Sequence, residues 1–142
     1  MNNVFVDLKE NSYDVIIKKN SFSSLNKELK ERNLYGNILI VVDKSVNKTH
    51  STKIEKFVKS HKGKIEKLIL DINESKKSFE TLNKIYDKLI KKNFGRDSLL
   101  IAVGGGIIGD ICGYAAATYS RGIQFVQVPT TLLAAVDSSV GG

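Results

Sequence analysis

The sequence predicts an α/β domain: a Rossmann-like, mostly parallel sheet with helices on both faces and an antiparallel hairpin at the N-terminus. Three observations carry that reading. Short apolar runs at 37–43 (NILIVVD), 64–70, 99–103 (LLIAV) and 124–128 alternate with helix-length amphipathic segments through short connections, the pattern of repeated βαβ units. The runs at 37–43 and 99–103 are apolar without alternation, as in strands covered on both faces. The run at 99–103 breaks directly into Gly104, Gly106 and Gly109 and restarts as a helix.

The elements follow in order. Residues 4–8 and 15–18 are strand-like and joined by Glu10, Asn11, Ser12 and Tyr13, which reads as a hairpin. Residues 21–33 read as a short polar helix, with Ser23 or Ser24 as N-cap and Gly36 behind it. The strand at 37–43 ends in the carboxylate of Asp43. The helix after it is placed at 49–61 by Ile54, Phe57 and Val58 on one face, and Gly63 ends it. The strand at 64–70 becomes fully apolar at Leu68, Ile69 and Leu70, and the loop 71–77 (DINESKK) leads to the clearest helix, 78–94. That helix carries Phe79, Leu82, Ile85, Tyr86 and Leu89 at helical spacing, with a Ser cap in front and Gly95 behind. A helix at 107–119 packs through Ala115, Ala116 and Ala117, a strand follows at 124–128, and a further helix begins at Thr131.

Composition bounds the function classes. At 142 residues, 1–142 reads as one domain. Its single cysteine, Cys112, excludes an intramolecular disulfide and suits a packing role, and there is neither a signal-like start nor a membrane-length apolar run; a cytoplasmic, soluble protein is expected. The net charge of +7 has its excess in residues 1–96, with 21 basic and 12 acidic residues, whereas after position 96 Arg121 is the only basic residue against Asp97, Asp110 and Asp137. Lysines such as Lys84, Lys88, Lys91 and Lys92 fall on outward helix faces, with no basic stripe interleaved with aromatics, so neither nucleic acid nor membrane is expected as partner. His50 and His61 have no second ligand at metal spacing, and no metal is assigned to this chain.

In parallel sheets ligands lie outside the carboxyl ends of the strands. That edge gathers Asp43, the loop 71–77, the loop 104–110, Thr130 and Thr131. The strand–glycine–helix junction aims backbone N–H groups and a helix dipole at one point, which suits a phosphate, although a plain tight turn explains the glycines equally simply. The usual acidic ribose partner about 20 residues on is missing, because the next strand runs into Pro129, Thr130 and Thr131. Asp43 fits a ribose diol or a helix N-cap. Glu74 and Lys77 are not singled out by spacing. Asp110 sits where the helix dipole alone stabilises it, Thr130 and Thr131 suit phosphate contact or capping, and Arg121 suits a bidentate phosphate contact or an exposed loop.

The stretch GGGIIGDICGYAAATYSRGIQFVQVPTTLLAAVDSSVGG resembles the central signature of the 3-dehydroquinate synthase family. Upstream, SYDVII is similar to that family's opening strand, LIVVD to its ribose-binding strand and NESKKSFET to its loop of pattern GEQYKSLET, so the resemblance covers the whole chain. Other sugar-phosphate cyclases and the iron-type polyol dehydrogenases share the glycine loop; DSSVGG favours dehydroquinate synthases. The resemblance implies NAD held by Asp43, by Asn73, Glu74 and Lys77, by Gly105, Gly106, Ile107, Ile108, Gly109 and Asp110, and by Thr130 and Thr131. It implies substrate contacts at Arg121, across a dimer interface, and at Asp137. Asn73, Ser75 and Lys76 depart from the family's loop pattern. The activity implied is that of a phosphate-eliminating carbon–oxygen lyase of the shikimate pathway, converting 3-deoxy-D-arabino-heptulosonate 7-phosphate to 3-dehydroquinate with catalytic NAD and a divalent metal, zinc or cobalt. A phosphorylated sugar acid is the implied substrate and a homodimer the implied full-length assembly. Family members continue past this point into a helical domain with the metal ligands and most substrate lysines, so this chain is expected to be the N-terminal NAD-binding part, with no catalytic residue of its own. Another cyclase, a polyol dehydrogenase or a non-catalytic nucleotide-binding module are the alternatives.

Overall fold

The structure is a computed structural model describing residues 2–140. An antiparallel hairpin, β1 (Asn2–Val6) and β2 (Tyr13–Ile17), stands apart as its own two-stranded sheet. Two residues of the sequence signature, Gly141 and Gly142 of DSSVGG, lie outside the described residues. A single 3₁₀ turn at Ser21–Ser24 leads into α1 (Leu25–Glu31). Then come β3 (Ile38–Asp43), α2 (Lys44–Ser60), β4 (Ile65–Leu70), α3 (Phe79–Lys91), β5 (Leu99–Gly104), α4 (Gly106–Thr118) and β6 (Gln124–Pro129).

The four later strands form one parallel sheet in the order β4-β3-β5-β6. Its two central strands are buried at every position from Ile38 to Val42 and from Leu99 to Gly104, which is why their sequences are continuously apolar. Side chains alternate between faces. Leu39, Val41, Leu100 and Ala102 pack against Leu82, Ile85 and Leu89 of α3 and Ile108, Ile111, Cys112 and Ala115 of α4. Ile38, Ile40, Val42, Leu99, Ile101 and Val103 pack against Leu25 and Leu29 of α1 and Ile54 and Phe57 of α2. Helices therefore cover both faces, as the alternating pattern predicts. Cys112 is fully buried in the first of these clusters, and burial pushes its thiol pKa far up.

Several boundaries differ from the sequence reading. The hairpin strands lie at 2–6 and 13–17 instead of 4–8 and 15–18, so that Tyr13 pairs with Val6 inside the ladder and does not belong to the connection. Residues 21–33 split into the 3₁₀ turn and α1, because the Ser24 hydroxyl bonds back to the Ser21 carbonyl at 3.0 Å instead of capping a longer helix. The second major helix begins at Lys44, not at 49, because Asp43 caps it: Oδ1 accepts from the backbone N–H groups of Ser45 (2.7 Å) and Val46 (3.4 Å). It bends at His50 (φ −126°, ψ 21°), where the Thr49 hydroxyl turns back onto the carbonyls of Ser45 and Val46. The helix predicted from Thr131 is a brief helical start at Leu132 and Leu133 that widens into a π turn at Ala134–Ser138.

The strand order creates the functional edge. From β3 the chain passes into α2 on one face; from the neighbouring β5 it passes into α4 on the other. In open α/β sheets the ligand crevice is the place where adjacent strands send their helices to opposite faces, which in this chain is the carboxyl ends of β3 and β5.

Candidate functional site

The floor of the crevice is Gly104. A Cβ there would lie 2.9 Å from Ile108 Cγ1, 3.0 Å from Ile108 Cβ and 3.2 Å from Asp43 Cβ, so only glycine lets β5 turn this close to both α4 and the end of β3. Gly105 follows as the N-cap of α4, with no side chain to cap it. The Gly109 N–H donates to the Gly105 carbonyl (3.2 Å), and the N–H groups of Gly106, Ile107 and Ile108, the first-turn donors at the positive end of the α4 dipole, have no partner among the described residues. Of the residues expected on the cofactor, Ile108 turns its side chain into the core and presents only its backbone. Gly109 serves packing: a Cβ there would lie 2.7 Å from Gln127 Oε1 on β6.

Asp43 and the loop after β4 form one wall. The Asp43 carboxylate is a helix cap through Oδ1, so both sequence-level readings concern the same group: one oxygen holds α2 while the half-buried side chain stands beside Gly104. Lys44 pairs with Asp71 at 3.0 Å and Lys76 approaches it at 3.7 Å; chiefly the Lys44 hydrogen bond holds the Asp71 carboxyl below its ordinary range. Glu74 and Lys77 lie on a 3₁₀ turn, Glu74–Lys76, and its exit, opened by the Lys76 N–H bond to the Asn73 carbonyl (2.9 Å). Lys77 reaches across to Asp110 on the first turn of α4, Nζ to Oδ2 2.6 Å, a bond that raises the lysine pKa. That pair bridges positions 33 apart in sequence and ties the loop to the glycine turn.

The other wall is the end of β6 and the turn behind it. Thr130 N–H donates to the Gly104 carbonyl (2.9 Å), and Thr131 Oγ1 caps the next turn by accepting from Ala134 N–H (3.2 Å). Thr131 is also the nearest neighbour of Gly105, its Oγ1 3.7 Å from where a Cβ would stand. On the α2 side, Thr130 borders a cleft of about 150 Å³ lined by Phe22, Val46, His50, Ile54, Val103 and Val128. Ser138, which the sequence gives no reason to select, lies against Gly106. Asp137 is exposed beside it.

Arg121 is not brought to this crevice. It lies in the turn after α4, at the amino end of β6, with a left-handed backbone (φ 68°). The thirteen residues of α4 separate it from Gly106 by roughly 20 Å. No group of three His, Cys, Asp or Glu side chains able to hold a metal ion gathers among the described residues, so the residues present do not fit a metal centre. No described helix is long and apolar enough to cross a membrane.

Comparison with known proteins gives this edge a family. Residues 67–142 match the model described as 3-dehydroquinate synthase N-terminal. Among curated relatives, the 3-dehydroquinate synthase of Clostridium botulinum is 44% identical over 142 residues, 100% of this chain and 41% of the relative. That of Shewanella pealeana is 45% identical over 139 residues, 98% of this chain and 38% of the relative. The chain thus spans about two fifths of the length of such relatives. Among solved structures, 2-epi-5-epi-valiolone synthase from Streptomyces hygroscopicus, with NAD+ and Zn2+ bound, matches with a TM-score of 0.81 at 31% identity, over 96% of this chain and 37% of the other. A 2-deoxy-scyllo-inosose synthase complexed with carbaglucose-6-phosphate, NAD+ and Co2+ matches in fold with a TM-score of 0.84 at 23% identity, over 96% and 37%. With a glycine-floored crevice at the switch point and a family match over more than half its length, the chain belongs to the 3-dehydroquinate synthase N-terminal family.

Proposed function

We propose that this chain is the NAD-binding part of a 3-dehydroquinate synthase, the enzyme that eliminates phosphate from a phosphorylated sugar acid and closes the carbocycle. The observation that carries the reading is the junction at Gly104, where the first turn of α4, its three leading amides without partner among the described residues, starts beside the Asp43 carboxylate at the end of β3. An uncapped helix N-terminus approached through glycines fits a pyrophosphate, and Asp43 fits the adenosine ribose. A Cβ at Gly104 would collide with Ile108 and Asp43, so glycine there keeps the start of α4 close to the end of β3.

In this reading the backbone of Gly105, Gly106, Ile107 and Ile108 binds the pyrophosphate, and Gly109 keeps α4 close to β6. Asn73, Glu74 and Lys77 close over the adenosine half, with Lys77 exchanging part of its Asp110 contact for the nucleotide. Thr130 and Thr131 border the nicotinamide ribose, and Asp137 faces the substrate. The chemistry NAD supplies when bound is reversible hydride uptake from a hydroxyl-bearing carbon of the substrate. Arg121, at the far end of α4, reaches a substrate only in a crevice of a second copy, in keeping with the homodimer the family resemblance implies. A divalent metal, if used, would be held by residues other than the described ones, among which no group of three metal-binding side chains gathers, and this chain, positions 1–142 as one domain, is expected to bind NAD and not to turn over by itself. The full-length protein is assigned to the cytoplasm.

Calorimetric titration of NAD into this chain tests the proposal. Saturable binding is expected, weakened at least tenfold in Asp43→Ser, which keeps a cap acceptor for α2 but loses the second carboxylate oxygen. No binding up to millimolar NAD, or equal binding by Asp43→Ser, contradicts it.

A further inference from the structure

Ser138 stands out from every other hydroxyl at this edge. Its Oγ is out of contact with solvent and has no hydrogen-bond partner among the described residues. Leaving a buried hydroxyl unpaired is unfavourable, and such groups ask for an explanation. The atom lies 3.1 Å from where a Cβ of Gly106 would stand, at the first residue of α4. Among the described residues the neighbouring N–H groups of Gly106, Ile107 and Ile108 have no partner either, since no side chain caps this helix and the first intrahelical donor is Gly109. Glycine at 105 and 106 lets the 131–138 turn close on the loop from one side, with Thr131 against Gly105 and Ser138 against Gly106. Thr131 has its own task as a cap for Ala134, whereas Ser138 has none.

We infer that Ser138 is a further binding residue for the pyrophosphate, its hydroxyl donating to a phosphoryl oxygen alongside the amides of α4. The inference rests on the nucleotide reading of this crevice. Ser138 as a whole is only partly buried, and its hydroxyl can turn about the Cα–Cβ bond to meet a ligand. A hydroxyl suits this place because it adds a donor without a charge, and it leaves Lys77 and Asp110 to balance each other. A hydrogen bond to a charged acceptor is among the stronger ones, so its loss is expected to cost about tenfold in affinity.

The test compares NAD, ADP and adenosine as ligands of this chain and of Ser138→Ala, followed by amide chemical shifts. The expected result is that Ser138→Ala keeps the wild-type spectrum away from residues 104–110 and 131–139. It binds NAD and ADP about tenfold more weakly and adenosine, which has no phosphate, unchanged. Equal loss for all three ligands assigns Ser138 to packing and overturns the inference, as does equal affinity of wild type and variant for NAD. If wild type binds neither NAD nor ADP, the nucleotide reading fails and this inference with it; if wild type binds both and the variant binds them with the same affinity, only the inference fails.

Discussion

Replacing Gly104 by alanine adds one methyl group at the point where β5, α4 and the end of β3 meet. Its carbon would lie 2.9 and 3.0 Å from two atoms of Ile108 and 3.2 Å from Asp43 Cβ, against 3.4–4 Å for ordinary contact. One of those atoms, Ile108 Cβ, is fixed to the α4 backbone, and Ile108 is itself buried in the core, so relief requires α4 to move a few tenths of an ångström away from β5. Overpacking of this kind costs about 1–3 kcal/mol, and loss of glycine's freedom in the unfolded chain returns about 0.4–1 kcal/mol. The net expectation is a loss of about 1–2 kcal/mol, read as a Tm lowered by roughly 3–8 °C for a chain of this size. Gly105→Ala is the control one residue on: its nearest neighbour would be Thr131 Cγ2 at 3.5 Å and its backbone is extended (φ −77°, ψ −169°). There the poorer N-cap and the unfolded-state gain roughly cancel, within about 0.5 kcal/mol. Urea denaturation followed by circular dichroism gives both values. A Gly104→Ala variant as stable as wild type, or a Gly105→Ala variant that is the weaker of the two, would refute the packing reasoning.

Two further outcomes follow from contacts away from the crevice. Glu66 on β4 binds Lys88 (3.0 Å) and Lys92 (3.2 Å) at the end of α3, and the Lys88 hydrogen bond first of all holds its carboxyl below the ordinary range. A lowered carboxylate pKa stabilises the fold above the unfolded value, near 4.3, and that contribution disappears as pH falls through the folded value. Glu66→Gln should therefore be less stable by about 0.5–1 kcal/mol at pH 7 and equal to wild type near pH 3, in denaturant titrations at the two pH values. Cys112, fully buried with its thiol pKa raised by burial, should resist a thiol reagent at pH 8 in the native chain and react at once in guanidinium; prompt native reaction would contradict the packing of α4 against the sheet.

The sheet was legible because period and burial speak directly in sequence: continuous runs such as LIVVD and LLIAV have no alternation to hide. Helix α2 was misplaced by five residues because 44–48 offers only Val46 as an apolar marker, while the signal that starts it is the cap, Asp43 with two N–H donors beyond it. The π turn after Thr131 was illegible for a related reason. LLAAV carries apolar residues on every side, so its spacing cannot say which face is covered, and Leu132, Leu133 and Val136 prove exposed. Of the site, the glycine junction and Asp43 could be read from strand order alone. Strand order also brings the loop 71–77 to this edge, but it does not single out Glu74 and Lys77 within it: Lys77 is marked by its bond to Asp110, a pairing across two elements that no local pattern records. Ser138 escaped for the same reason, since its meaning depends on lacking a partner in three dimensions. Arg121 was legible as a lone cation but not as a distant one, because its place at the amino end of β6 follows only once the length and direction of α4 are known.

The central claim is that a dinucleotide lies in the crevice between β3 and β5. Its most direct test is an amide chemical-shift titration of this chain with NAD. The account predicts saturable shifts concentrated at residues 43–46, 73–77, 104–110 and 130–131, leaving the hairpin β1–β2 and the turn at Tyr119–Arg121 unmoved. Shifts confined to other surfaces, or none at millimolar NAD, would contradict it.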